Sequence, residues 1–290
     1  MKNPKENYPQ NFPKQHQQQH PGFEYEMDPL PIYDCMDKDE KLSGKVAIIT
    51  GGDSGIGRAV AVAFAKNGAD IIIVYYNEKR DAEDTKRIIE SLNRKCTLFE
   101  GDITNFDFCR KVVEETINIY KKIDVLVNNS AVQYECSDFV NLDNEQFDKT
   151  FKTNVYGAFY MTKCALKYLK KGSSIINTTS VTAYNGHDTL IDYSMTKGAL
   201  STFTRSLALS LAKNNKEIRV NAVAPGPIWT PLIPSSFDAV KTSEHGKSTP
   251  LGRAGQPCEC AQAYVFLASS QSSYITGTTI HINGGEFLNS

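Results

Sequence analysis

The sequence predicts an α/β fold: a doubly wound, seven-stranded parallel sheet in a single domain, preceded by an extension of different character. Three observations carry this. Short apolar runs alternate with longer helical segments in strict turn, which implies parallel strands covered by helices on both faces. A glycine-rich turn, Gly51-Gly52-Asp53-Ser54-Gly55-Ile56-Gly57, joins the first run to the first helix. The length of 290 residues, 40% apolar and 22% charged, suffices to bury one full core.

Residues 1–41 form the extension and 42–290 the folded domain. Pro4, Pro9, Pro13, Pro21, Pro29 and Pro31 are half of all twelve prolines, and Gln15-His16-Gln17-Gln18-Gln19-His20 is low-complexity. Such a segment buries too little apolar surface to offset its ordering entropy, so the Gln-rich part is expected to be disordered. The stretch from Phe23 to Tyr33 carries aromatic and apolar anchors suited to docking on the body. No apolar run follows Lys2 and Lys5, acids stand at Glu6, Glu24, Glu26 and Asp28, and no run approaches 18 apolar residues. Secretion, organelle import and membrane spanning are disfavoured, leaving the cytoplasm. A net charge of −1 gives no reason to expect nucleic acid or an anionic membrane as partner. Seven cysteines, odd in number and without paired spacing, suit a reducing compartment. Cys258-Glu259-Cys260 has no nearby histidine and no second pair, so no metal site is expected.

The domain opens with the apolar strand Lys45-Val46-Ala47-Ile48-Ile49-Thr50, and the glycine-rich turn leads into a helix from Arg58 to about Asn67. Glycines at 51, 55 and 57 permit a sharp turn, close approach of a pyrophosphate and tight helix packing, while free amides at the helix start attract the anion. A second strand, Asp70 to Tyr75, makes this a strong dinucleotide signal. The alternation continues with a helix near Arg80 to Asn93, a strand from Cys96 to Phe99, a helix near Phe106 to Tyr120 and a strand from Ile123 to Val127. Asn128-Asn129-Ser130-Ala131 ends that strand. One helix containing Asn154 is expected from about Asn144 to Leu169. The fifth strand, Ile175 to Ser180, ends in hydroxyl residues. A helix then opens at Tyr193 and runs to about Ala212, and a strand follows from Ile218 to Val223. Pro225-Gly226-Pro227-Ile228-Trp229-Thr230-Pro231 breaks regular structure, and the polar stretch to Ser248 reads as a mobile lid. A helix near Pro257 to Ala268 and a strand from Thr278 to Ile282 close the chain.

The chemistry concentrates at Ser180 and at Asp192-Tyr193-Ser194-Met195-Thr196-Lys197, where a phenol and an ammonium stand at i and i+4 on one helix. A free phenol has a pKa near ~10, so its use at neutral pH needs a shift of roughly 3 units, or about 4 kcal/mol. One ammonium at about 5 Å contributes roughly 3 kcal/mol at an effective dielectric of about 20. A single lysine nearly suffices, and a cationic cofactor would supply the rest. The second pair of this spacing, Tyr75 and Lys79, ends an apolar strand and has no such hydroxyl partner.

With these residues in place, residues 42–290 resemble the short-chain dehydrogenase/reductase family from end to end, which implies a Rossmann-type fold. The motifs stand in the family's order: Thr50-Gly51-x-x-x-Gly55-x-Gly57, Gly101-Asp102, Asn128-Asn129, the tetrad Asn154, Ser180, Tyr193 and Lys197, and Pro225-Gly226. The resemblance implies an enzyme that interconverts a secondary alcohol, or a polyol or sugar hydroxyl, and a carbonyl, using NAD or NADP. Tyr193 would exchange a proton with the substrate oxygen, and Ser180 would hydrogen-bond that oxygen. Lys197 would lower the tyrosine pKa and hold the ribose, and Asn154 would anchor a water feeding the proton relay. The implied cofactor site takes Gly51, Asp53, Ser54, Gly55, Ile56 and Gly57 from the glycine loop and Tyr75, Tyr76 and Asn77 from the end of the second strand. It takes Asp102 and Ile103 near the adenine, and Asn129, Ser130 and Ala131 after the fourth strand. Thr178, Tyr193 and Lys197 complete it, with Pro225, Gly226, Ile228 and Thr230 on the nicotinamide side. The extension, the glycine loop and Val74-Tyr75-Tyr76-Asn77-Glu78 resemble a subgroup labelled glucose or ribitol dehydrogenase-like.

Ser130-Ala131 stands where the family usually has Ala-Gly, and both are small enough to keep the cofactor path open. The second strand ends at Tyr75 without the acid that binds an adenosine ribose, no arginine follows directly, and Ser54 is not the basic residue that marks a 2′-phosphate site. The balance falls on NAD, with Lys79 and Arg80 keeping NADP open. Two other functions compete: a cofactor-binding scaffold or sensor of little activity, and a reductase of carbon–carbon double bonds. The intact tetrad argues against the first, and the close Tyr193–Lys197 spacing against the second, whose family branch spaces the pair more widely. The substrate is expected to be a small molecule shaped by the loops at 133–136, 181–188 and 228–247. His187 reads as a pocket wall, His281 as structural, and Trp229 as either a lid or packing. Apolar residues on more than one stripe of the helices near 144–169 and 190–212 fit the homotetramer common in this family.

Overall fold

A computed structural model describes residues 9, 11–35 and 39–288. Seven parallel strands form one sheet in the order β3-β2-β1-β4-β5-β6-β7: Val46–Thr50 (β1), Asp70–Tyr75 (β2), Cys96–Glu100 (β3), Val125–Asn128 (β4), Ser174–Thr178 (β5), Arg219–Pro225 (β6) and Thr279–Ile282 (β7). The alternation of side chains along each strand feeds two cores. Ala47 and Ile49 of β1 point to the face covered by Gly55–Lys66 (α1), Lys79–Ser91 (α2) and Pro257–Ala268, while Val46 and Ile48 point to the face covered by Phe106–Tyr120 (α3) and the helices between β4 and β6. Both cores are mostly apolar, with the buried polar groups of Asn128 and Asn177 hydrogen-bonded to each other, which explains why most strands read as continuous hydrophobic runs.

Between β4 and β5 the expected single helix is interrupted. Asn144–Phe151 (α4) gives way to a π turn at Lys152–Tyr156, and Gly157–Ala165 (α5) completes the segment, ending before Leu169. A Cβ at Gly157 would come within 2.5 Å of Ile103 Cδ1, so a side chain there would have to displace Ile103. The short Thr182–Asn185 (α6) and the long Ile191–Lys213 (α7) follow β5. The stretch expected to be a lid is folded into Leu232–Ser236 (α8) and Ala239–Glu244 (α9), and the side chain of Asp238 caps the second by accepting from the Val240 and Lys241 amides. The helix Pro257–Ala268, already met above, is α10 and packs along α1. None of these helices is long and apolar enough to cross a membrane.

The extension lies against the domain, and this includes its Gln-rich part, for which disorder was the expectation. Phe12 stacks on Trp229, the Gln17 amide donates to Pro234 O at 2.8 Å, and the Trp229 indole N–H donates to Pro29 O at 2.7 Å. Tertiary partners therefore offset an ordering entropy that the segment alone could not. The expected disorder of residues 1–8 and 10 falls outside the described residues.

Candidate active site

The strand order reverses between β1 and β4, and the loops leaving their carboxyl ends open the crevice where such sheets bind ligands. Thr50 ties the two loops together, its hydroxyl accepting from the Asn129 amide at 2.9 Å and the Ser130 amide at 3.1 Å. Asn129 Nδ2 donates to Gly51 O at 3.2 Å, and the Thr178 hydroxyl donates to Asn129 Oδ1 at 3.2 Å. The result is one cavity of about 820 Å³ running along the ends of β1, β2, β4, β5 and β6.

The residues present fit a dinucleotide. Gly51 and Gly55 hold left-handed backbone, with φ of 63° and 50°, and a Cβ on Gly51 would press on Asn129 and Ser130 at 3.1 Å. Of the cofactor residues expected from the sequence, all line this cavity except two. Gly57 is buried beneath the loop, where a Cβ would come within 1.7 Å of Gly51 O, so it shapes the turn instead. Asn77 faces away, its amide donating to Glu78 Oε2 at 3.0 Å.

Helix α7 brings Tyr193 and Lys197 to the wall that β5 supplies with Ser180. Lys197 is buried, its Nζ donating to Thr178 O at 2.9 Å and standing 5.4 Å from the centre of the Tyr193 ring. Burial pushes the Tyr193 phenol up to about 12, against the pull of a hydrogen bond from the Ser180 hydroxyl, and pushes Lys197 down to about 7. The expected lowering of the phenol called on Lys197 together with a cationic cofactor; in the protein alone, desolvation dominates both groups. Asn154 does not line the cavity. Its Oδ1 accepts from the Val132 amide at 2.8 Å, and its Nδ2 donates to Val132 O at 2.9 Å and Thr196 Oγ1 at 3.0 Å, so the side chain joins the π turn to the loop after β4 and to α7. His187 does line the cavity, while His281 packs on Tyr184 and Phe287. Trp229 is no lid, being fully buried under the extension.

Glu78 and three residues of the extension escaped the sequence reading, as did the partners of Asp53 and Tyr75. At the far end from Tyr193, Asp53 is 4% exposed and Glu78 3%. Burial and then the neighbouring Glu78 push the Asp53 carboxyl up to about 8, burial raises Glu78 as well, and Glu78 Oε1 has no hydrogen-bond partner among the described residues. Tyr75 turns its hydroxyl to Glu100 at 3.0 Å. From the extension, His20, Pro21 and Gly22 enter the wall, held by Glu24, whose carboxylate pairs with Arg58 and accepts from the Gly55 amide at 2.5 Å. Burial raises Glu24 to about 7, with Arg58 and the Gly55 amide pulling it back. Asp81 completes this buried cluster from α2, 3.1 Å from Arg58 Nη2. No local signal separates Glu24 or Gly22 from the rest of a Pro-rich extension, since their partners lie far along the chain.

Residues 51–286 match the family described as enoyl-(acyl carrier protein) reductase. The chain belongs to the short-chain dehydrogenase/reductase family. As a short-chain dehydrogenase/reductase it is an oxidoreductase with a nicotinamide-dinucleotide-binding fold. It is 47% identical over 286 residues to glucose and ribitol dehydrogenase of Daucus carota, covering 96% of this chain and 98% of that one. It is likewise 47% identical over 285 residues to NADPH-dependent aldehyde reductase 1, chloroplastic, of Arabidopsis thaliana, covering 95% and 98%. Among solved structures, a short-chain dehydrogenase from Burkholderia cenocepacia J2315 in complex with NADP superposes with a TM-score of 0.79 at 28% identity, covering 84% of this chain and 98% of that one.

Proposed function

We propose that this short-chain dehydrogenase/reductase interconverts a secondary alcohol, or a polyol or sugar hydroxyl, and a carbonyl by hydride transfer, with Tyr193 as the acid and base. One observation carries the reading: Ser180, Tyr193 and Lys197 meet on a single wall of the cavity that the glycine loop opens. The proton moves at Tyr193 Oη, to or from the substrate oxygen. Ser180 orients that oxygen and donates toward the charge that develops on it. Lys197, fixed by Thr178 O, offers its remaining donor capacity to the ribose. The cofactor, when bound, gives or takes the hydride, and its oxidised ring is the further positive charge that a buried phenol needs to ionise. Asn154 holds Val132 and Thr196 in place and, in this reading, anchors the water that feeds the proton relay.

NAD is the preferred cofactor in this reading. Asp53 and Glu78 offer a 2′-phosphate no positive charge, Arg58 is paired with Glu24 and Asp81, and Arg80 lies over the Tyr25 ring at 4.2 Å. The Burkholderia structure in complex with NADP and the NADPH-dependent relative make NADP the competing choice. In this reading the protein is a cytoplasmic homotetramer. Support for assembly comes from Phe159, Met195 and Leu209, apolar residues exposed on α5 and α7.

Screening alcohols and carbonyls with both cofactors in both redox states, read at the nicotinamide absorbance band, tests the reading. Turnover of some member of this panel is expected. Absence of any turnover with tight cofactor binding would favour the scaffold alternative.

A further inference from the structure

The chain past β7 is built to present one carboxylate. Gly284 and Gly285, with φ of 63° and 90°, turn the backbone sharply after Ile282. Asn283 clamps the turn: its Oδ1 accepts from the Gly285 amide and its Nδ2 donates to Phe287 O, both at 3.0 Å. Glu286 O accepts from Asn185 Nδ2 at 3.2 Å, and the Phe287 ring packs 5.1 Å from Tyr184. Both of those partners lie on α6, immediately after Ser180. The turn is thereby fixed to the segment that follows Ser180.

Glu286 lines the same cavity as Ser180, Tyr193 and His187. Glu286 is exposed as a residue, partial burial at the cavity edge raises its carboxyl pKa, and its oxygens are engaged by no ion pair or hydrogen bond found among the described residues. An ionised carboxylate is an acceptor only, with two oxygens set for two donors. A vicinal diol supplies two O–H donors at matching separation. An ammonium would also satisfy it, but the alcohol–carbonyl reading already calls for a hydroxyl-bearing substrate, and a neighbouring hydroxyl is the donor that such a substrate brings. We propose that Glu286 is a specificity-determining residue whose carboxylate accepts two hydrogen bonds from a vicinal diol on the substrate, selecting polyhydroxylated ketones and their alcohols. This rests on the alcohol–carbonyl reading above.

The test compares erythrulose with butanone, four-carbon ketones that differ in their hydroxyls, on the full chain with saturating reduced cofactor. In Glu286→Leu the erythrulose-to-butanone ratio of kcat/KM should fall about 10-fold to 100-fold, mainly through the KM for erythrulose. Glu286→Gln keeps the shape and one acceptor and should fall between Leu and the unaltered chain. Cofactor affinity, followed by nicotinamide fluorescence, reports whether each variant is folded. An unchanged ratio in both folded variants overturns the proposal while leaving the alcohol–carbonyl reading intact. Turnover of neither ketone by the unaltered chain, together with failure of the wider panel, removes both.

Discussion

Phe12 lies flat on Trp229, ring centroids 3.8 Å apart and planes 7° from parallel. The contact joins the extension to the segment leaving β6, beside α8 and the cavity. Phe12→Ala should remove much of this buried stacking, costing about 2 kcal/mol and roughly 5 °C in melting temperature. Light scattering and melting of a chain beginning at Lys41 extend the test. A tetramer is expected for the full chain, and identical mass and melting in both chains would show that the extension adds nothing.

The Glu24–Arg58–Asp81 cluster is buried on all sides. Arg58→Met should cost about 3–5 kcal/mol, because it strands two carboxylates rather than because the pair is strong. Adding Glu24→Gln to that variant should recover part of the loss. Denaturant midpoints measure both, and an additive or larger loss in the double variant would contradict the account.

For catalysis, Tyr193→Phe should abolish nearly all turnover while leaving cofactor affinity close to unchanged. Lys197→Ala should impair both, since its Nζ sits between Thr178 O and the phenol. Substantial turnover in Tyr193→Phe would end the proton-transfer role.

Cofactor choice should respond to charge at the far end of the cavity. Tyr76 is 54% exposed at its mouth. Combining Tyr76→Arg with Glu78→Gln should move the NADP-to-NAD ratio of kcat/KM upward by at least about 10-fold, or about 1.4 kcal/mol. Tyr75→Asp should move it down. A ratio indifferent to all three changes would place selection elsewhere.

Asp53 gives a pH signature. Its folded pKa, about 8, lies above the ordinary 3.8, so folding favours the neutral acid. The stability it contributes is complete below about pH 4 and is lost as pH rises through about 8. Melting temperature should decline from pH 5 to pH 9, and Asp53→Asn should flatten that decline. An equal slope in the variant would assign the titration to another group.

Much of this protein is determined by local sequence. Continuous apolar runs such as Ile71-Ile72-Ile73-Val74 can only be strands covered on both faces, and the glycines at 51 and 55 mark a turn whose backbone no side chain tolerates well. The Ser180, Tyr193 and Lys197 set was legible for the same reason, being defined by a strand end and one helical turn. Tertiary structure alone decided the rest. Local spacing cannot report desolvation, so it missed that burial dominates both Tyr193 and Lys197. It could not pair Asp53 with Glu78, Glu24 with Gly55, or Glu286 with the segment after Ser180, because each partnership joins residues distant in sequence. The extension shows the limit most clearly: its composition describes a chain that cannot fold alone, and its order comes entirely from surfaces that exist only once the sheet has formed.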